Sequence, residues 1–200
     1  MSVASKATDS VIAFAGRRTD VADSLVVRFP FESVPTVQQA LTALLSRERP
    51  IAVVASGACG SDLTMLQAAD ALEIRTRIVL PFAPEHFRRT SVIDRPHPEF
   101  WGSLFDGLVA TAQSRGDLVI LNASDDDTTA YAATNRAIIA EATTLAEGEI
   151  PRRRLAVIAW DGAVRGPTDA TREFADLAVQ SGFCVQSIST LGPADSGSGH

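Results

Sequence analysis

Ile51-Ala52-Val53-Val54-Ala55-Ser56-Gly57-Ala58-Cys59-Gly60-Ser61-Asp62 decides the reading of the fold. Its first five residues are apolar with no polar alternation, the pattern of a strand covered on both faces. The run then passes through two glycines into a helical pattern whose Met65, Ala69 and Leu72 share one face. A strand that feeds straight into a helix through a short glycine loop is half of a βαβ unit, and βαβ units build parallel sheets.

The same alternation recurs along the chain. Further strands are expected at Val11–Ala15, Arg77–Leu80, Leu118–Leu121, Leu155–Trp160 and Phe183–Ile188. Helical faces lie between them, drawn by Val37, Ala40, Leu41 and Leu44, by Trp101, Leu104, Phe105 and Leu108, and by Ala170, Phe174, Leu177 and Ala178. With right-handed crossovers, this order predicts an α/β fold: a doubly wound, mainly parallel Rossmann-like sheet with helices on both faces. The 200 residues suit one domain, expected over 10–190, with flexible ends at 1–9 and 191–200.

Composition narrows the function classes. A net charge of −6 repels polyanions, so nucleic acid is not the expected partner. A small phosphate ligand stays open, because backbone amides at a helix N-terminus bind anions without a basic surface. Two distant cysteines, no apolar segment in Met1–Ser10 and no run long enough for a membrane span predict a cytoplasmic protein. His86 and His97 lack metal-ligand spacing, and the consecutive Asp125, Asp126 and Asp127 cannot all converge on one ion. No metal and no cofactor are expected.

Ligands of open parallel sheets sit beyond the carboxyl ends of the strands, which directs attention to four loops. The first, Gly16-Arg17-Arg18-Thr19-Asp20, combines a turn glycine with a guanidinium suited to phosphate or simply solvated. In the second, Gly57, Cys59, Gly60 and Ser61 offer free amides, while Asp62 suits a ribose, a cap or a brace for the loop. Cys59 at a helix start also raises the question of a reactive thiol. Beyond the fourth strand, Tyr131 and Asn135 stand at i and i+4 on one helical face, placed for a base and a sugar or for packing. The last loop carries Trp160, Asp161, Gly162, Gly166 and Thr168, with Pro167 at a first helical position.

Taken in order, these loops together with Arg28-Phe29-Pro30, Leu80-Pro81-Phe82 and Phe87–Ser91 resemble the SLOG superfamily, Rossmann-like domains related to the Smf/DprA and LOG proteins. The resemblance spans most of residues 10–190. It implies a nucleotide-type ligand over the carboxyl edge of the sheet. Members include sensors of nucleotide-derived signals, often in bacterial conflict systems, and phosphoribohydrolases that release a base from a nucleoside monophosphate. The LOG hydrolases carry a Pro-Gly-Gly-x-Gly-Thr-x-x-Glu loop. Here Gly166–Thr171 lacks the consecutive glycines and has Thr171 at the glutamate position, with Glu173 two residues on.

The sequence therefore predicts a module that binds or senses a nucleotide or ADP-ribose-like molecule. The alternative is N-glycosidic hydrolysis, for which Asp62, Asp161, Asp169 and Glu173 are the candidate carboxylates. A homodimer is compatible with both.

Overall fold

The computed structural model of the chain describes residues 9–123, 127–166 and 169–192. Six strands form one sheet: β1 (Ser10–Gly16), β2 (Pro50–Ala55), β3 (Arg75–Leu80), β4 (Leu118–Ile120), β5 (Arg153–Trp160) and β6 (Cys184–Ser189). Every pairing is parallel, in the order β4-β3-β2-β1-β5-β6. The expected α/β fold is the observed one. Four strands begin before their apolar runs, β1 and β2 by one residue, and β3 and β5 by two because Arg75 and Arg153 start them with exposed side chains.

Six helices cover the sheet: α1 (Val34–Glu48), α2 (Ser61–Ala71), α3 (Pro84–Ser91), α4 (Pro98–Ser114), α5 (Asp127–Ala146) and α6 (Ala170–Gln180). Alternate residues of β1 feed two cores. Ile12 and Phe14 pack with Leu41, Leu63 and Trp101 of α1, α2 and α4, while Val11 and Ala13 pack with Ile138 and Phe174 of α5 and α6. Helix α2 is buried on nearly every side, since α1 and α4 both pack against it. Its sequence accordingly shows a weak amphipathic stripe.

From β1 to β4 the chain steps in one direction across the sheet, and then β5 returns to the far side of β1. The strand order therefore reverses between β1 and β5, which opens a crevice at their carboxyl ends. Three loops are stitched together there. The Arg17 amide donates to Ala159 O, and the Arg17 carbonyl accepts from both the amide and the hydroxyl of Ser61. Gly60 fits between them at φ +99°, where a Cβ would stand 2.7 Å from Thr19 N and 2.8 Å from Arg17 O.

A second tie is electrostatic. The Arg17 guanidinium is buried and donates to Asp161, to both oxygens of Asp169 and to Ala163 O. Arg28 donates to the other oxygen of Asp161. Asp169 also caps α6, accepting from the amides of Thr171 and Arg172. Burial works to raise the Asp169 pKa, but hydrogen bonds from Arg17, Arg165 and Arg172 outweigh it and hold the group at about 2.

Two stability outcomes follow. Gly60→Ala is expected to cost about 1–3 kcal/mol in urea unfolding, through the positive φ and contact with immovable backbone. Arg17→Met is expected to cost about 3–5 kcal/mol at pH 7, because it leaves the buried Asp169 without its ion-pair partner and Asp161 with Arg28 alone. Asp169 has a depressed folded-state pKa, so its contribution is present above its unfolded value and lost as pH falls towards 2. The gap between wild type and Arg17→Met should accordingly narrow when unfolding is repeated at pH 3.

Candidate functional site

The crevice at the strand-order reversal is a cleft of about 350 Å³. Its floor is Ala15 and Gly16 at the end of β1, with Ser56 and Ala58 from the loop after β2. One wall is a single face of α5, where Tyr131, Thr134, Asn135 and Ile138 follow helical spacing. The start of α6 closes the far end with Ala170 and Thr171.

Polar groups on this wall are positioned by neighbours. The Tyr131 hydroxyl lies 2.8 Å from Ser91 Oγ, tying α5 to the end of α3. Asn135 Nδ2 donates to Ala170 O at 3.0 Å and bridges α5 to α6.

Asp62 differs from them. It is 7% exposed and lines the cleft, and its Oδ2 accepts from the Ala58 amide at 3.4 Å. Its Oδ1 is buried without a hydrogen-bond partner. Burial pushes its pKa up to about 7 against the Ala58 amide, the Arg18 charge and the Gly16 amide. Arg18 supplies the complementary orphan, a buried Nε with no hydrogen-bond partner, although its Nη2 bonds Asp94 and meets Cys59 Sγ at 3.5 Å.

Four arginines (Arg17, Arg18, Arg95 and Arg165) line the cleft against two aspartates, Asp62 and Asp169. Arginines thus outnumber aspartates in the lining of a chain whose net charge is −6. Arg17 is neutralised by its carboxylates, Arg18 and Arg95 both pair with Asp94, and Arg95 also donates to Thr19 O at 3.3 Å. Arg165 has no ion pair among the described residues. Its side chain is exposed, and partial desolvation first, then the neighbouring Arg17 and Arg28, lower its pKa from the usual guanidinium value. A cation crowded by cations at the rim of a cleft favours an anion there.

Of the residues singled out from the sequence, the cleft gathers Gly16, Arg17, Asp62, Tyr131 and Asn135. The others are placed differently. Gly57 faces Phe105 in the first core, while Ser61 and Gly60 join the loops to one another. Two roles considered from the sequence change with the structure. The Arg17 fork holds Asp161 and Asp169. The Cys59 thiol is fully buried, and burial raises its pKa against the pull of Arg18, which leaves no activated nucleophile.

Trp160 packs in the second core, with its ring 5.9 Å from the Arg17 guanidinium carbon. Asp161 serves Arg17 and Arg28. Gly162 and Gly166 sit at positive φ in open space. Thr168, like Ser124 to Asp126, lies outside the described residues. Arg18, the other arginine that the sequence offered for this loop, also lines the cleft, whereas Arg95 and Arg165 were not singled out from the sequence. The signal for Arg165 was its place in the glycine loop before α6.

Among the described residues no group of three or more histidine, cysteine or carboxylate side chains is arranged to hold a metal, and no helix is long and apolar enough to cross a membrane.

No family model and no curated protein matches the chain. Among solved structures it is similar to DNA processing protein A (DprA) from Streptococcus pneumoniae, with a TM-score of 0.51 and 16% identity over 90% of this chain. It also aligns with UDP-GlcNAc 2-epimerase from Neisseria meningitidis bound to UDP-GlcNAc, at a TM-score of 0.32 and 12% identity over 79% of this chain. The chain spans about half the length of each, 50% and 53%. The likeness to DprA is one of fold, and it agrees with a Rossmann-like α/β domain.

Proposed function

We propose that the cleft binds a nucleotide or nucleotide-derived small molecule, as a sensing or binding module. One observation carries the reading. Asp62 and Arg18 both line the cleft, and each carries a buried polar atom without a protein partner, the acceptor Asp62 Oδ1 and the donor Arg18 Nε, while Arg165 in the same lining has no ion pair among the described residues. Buried polar groups are normally satisfied, and orphans that share a cleft mark a polar ligand. Tyr131, Phe87 and Ile138 give this ligand an apolar side suited to a base. Arg165 and Arg95 suit its phosphate, and Asp62 Oδ1 suits a ribose hydroxyl as donor.

A second reading, hydrolysis of an N-glycosidic bond, is favoured by one specific feature. Of the four carboxylates considered from the sequence, Asp161 and Asp169 are tied to arginines, and Glu173 lines a separate surface depression between α5 and α6. Only Asp62 is in the cleft with a pKa near 7, the range a general acid or base needs.

Titration of the purified protein with the four common nucleoside monophosphates and diphosphates, followed by chromatography of each mixture, separates the two readings. Binding is expected to raise stability by ~2.7 kcal/mol at a hundred times Kd, with the ligand recovered intact. Released base would replace sensing by hydrolysis, and hydrolysis lost in Asp62→Asn would assign the carboxyl. Absence of any stabilisation would remove both. Arg165→Glu is expected to weaken phosphate-bearing ligands at least about tenfold and to leave nucleosides nearly unaffected.

Asp62 makes a further prediction independent of ligand. Its folded-state pKa is raised above its unfolded value near 3.8, so its stability contribution is present below that value and lost as pH rises through about 7. Asp62→Asn should therefore gain stability relative to wild type as pH rises from 5 to about 7, by up to about 1.4 kcal/mol per pH unit, and level off above that. A constant difference across that window would refute the assignment.

A further inference from the structure

The two edges of the sheet are built differently. β4 is blunted by its length, since it has three residues and Asn122 at φ +50° follows soon after. β6 has six residues, pairs with β5 without a register shift, and contains no proline and no charged side chain. It therefore lacks every device within the strand that normally stops an edge from pairing: short length, a charge, a proline or a bulge. The outward-facing groups of this edge follow from the ladder. The Thr190 amide donates to Trp160 O, so by alternation the backbone of Cys184, Gln186 and Ile188 turns towards β5. The amides and carbonyls of Val185, Ser187 and Ser189 then turn outward, and among the described residues no loop bonds to them. The surroundings are equally neutral. Residues 179–192 carry no charged side chain, in a chain that is 21% charged. At one end of the strip Val179 of α6 stands 62% exposed, and just past the other end Leu191 stands 48% exposed.

We propose that β6 is the interface between two copies of this chain, paired antiparallel about a two-fold axis at Ser187 so that the two sheets become one. The proposal is independent of what the cleft binds. A second copy is the occupant that fits the strip. Its neutrality selects neither a cationic nor an anionic partner, and it lets two chains of net charge −6 meet without placing like charges opposite each other. The two-fold sets Ser187 against its own equivalent and Val185 against Ser189, so each outward amide meets a carbonyl of the other copy. The same symmetry brings the Leu191 end of one copy to the Val179 end of the other, twice over, and so gathers apolar side chains that the single chain leaves in water. Antiparallel strands point their carboxyl ends in opposite directions. The two clefts therefore lie at opposite ends of the pair, each complete within its own chain.

Light scattering on the full chain, over a wide range of concentration, is expected to find the mass of two chains giving way to that of one on dilution. Two variants locate the contact. Ser187→Pro removes an outward amide without touching the ladder to β5, a change that edge strands tolerate, and Ser187→Lys adds the charge that edges ordinarily carry. Each is expected to raise the dimer dissociation constant at least about tenfold while the far-ultraviolet circular dichroism spectrum stays that of wild type. If Ser187→Pro fails to fold, Ser187→Lys alone decides, because the Ser187 side chain is exposed. A wild type that stays monomeric at every concentration would overturn the proposal and leave the edge to a different chain. A dimer as tight in Ser187→Lys as in wild type would overturn it too, by placing the interface elsewhere.

Discussion

The buried guanidinium of Arg17 is the constraint on which the rest of the site depends. It lies where the strand order reverses, the one place in a parallel sheet where neighbouring loops diverge and must be held by something other than strand pairing. Its donors reach Asp161 after β5 and Asp169 at the start of α6, so one side chain fixes the end of β1 against both. A buried ion pair of this kind adds little net stability over an apolar replacement, but loss of one member is costly. Its value here is geometric. Asp169 Oδ2 also accepts from the Arg165 amide at 2.6 Å, and this contact sets the direction of the Arg165 loop.

That arrangement explains how an acidic protein leaves Arg165 without an ion pair among the described residues beside the cleft. Arg17 and Arg28 consume the charge of Asp161 and Asp169, so the carboxylates nearest the rim do not neutralise Arg165. The two guanidinium groups instead lower its pKa, with partial desolvation the larger cause. Overall charge says which polyions a protein avoids. It does not say what a low-dielectric cleft selects, because local field lines are set by the few groups that solvent does not screen.

Much of the fold was legible in the sequence, since strand type follows from unbroken apolar runs and both faces of every central strand are covered. The strand order was not legible, because crossover direction leaves no local pattern. The candidate site was readable as a set of loops and less so as a set of roles. Arg17 and Asp169 are 152 residues apart in sequence, so nothing near Arg17 signals that its fork is taken. Gly60 shows the same limit. A loop glycine reads as an amide open to phosphate, whereas here the absent Cβ makes room for the Arg17–Thr19 backbone. Arg95 was invisible for a simpler reason: it follows α3, in a segment with no strand end to draw attention to it.

Asp62 decides between sensing and chemistry, and its surroundings point both ways. A carboxyl near neutral pKa can exchange a proton with a bound ligand, as a general acid or base must. Yet catalysis of glycosidic cleavage also demands stabilisation of positive charge on the sugar, usually by a second ionised carboxylate close to it. The other lining carboxylate, Asp169, is ionised but committed to Arg17 and to the α6 cap, and three more arginines share the walls. Such a field opposes a developing oxocarbenium ion while favouring the phosphates that hold its precursor. The same electrostatics that recommend the cleft for nucleotide binding therefore weigh against turnover, and Asp62 is better suited to accept a hydroxyl hydrogen bond than to drive bond cleavage.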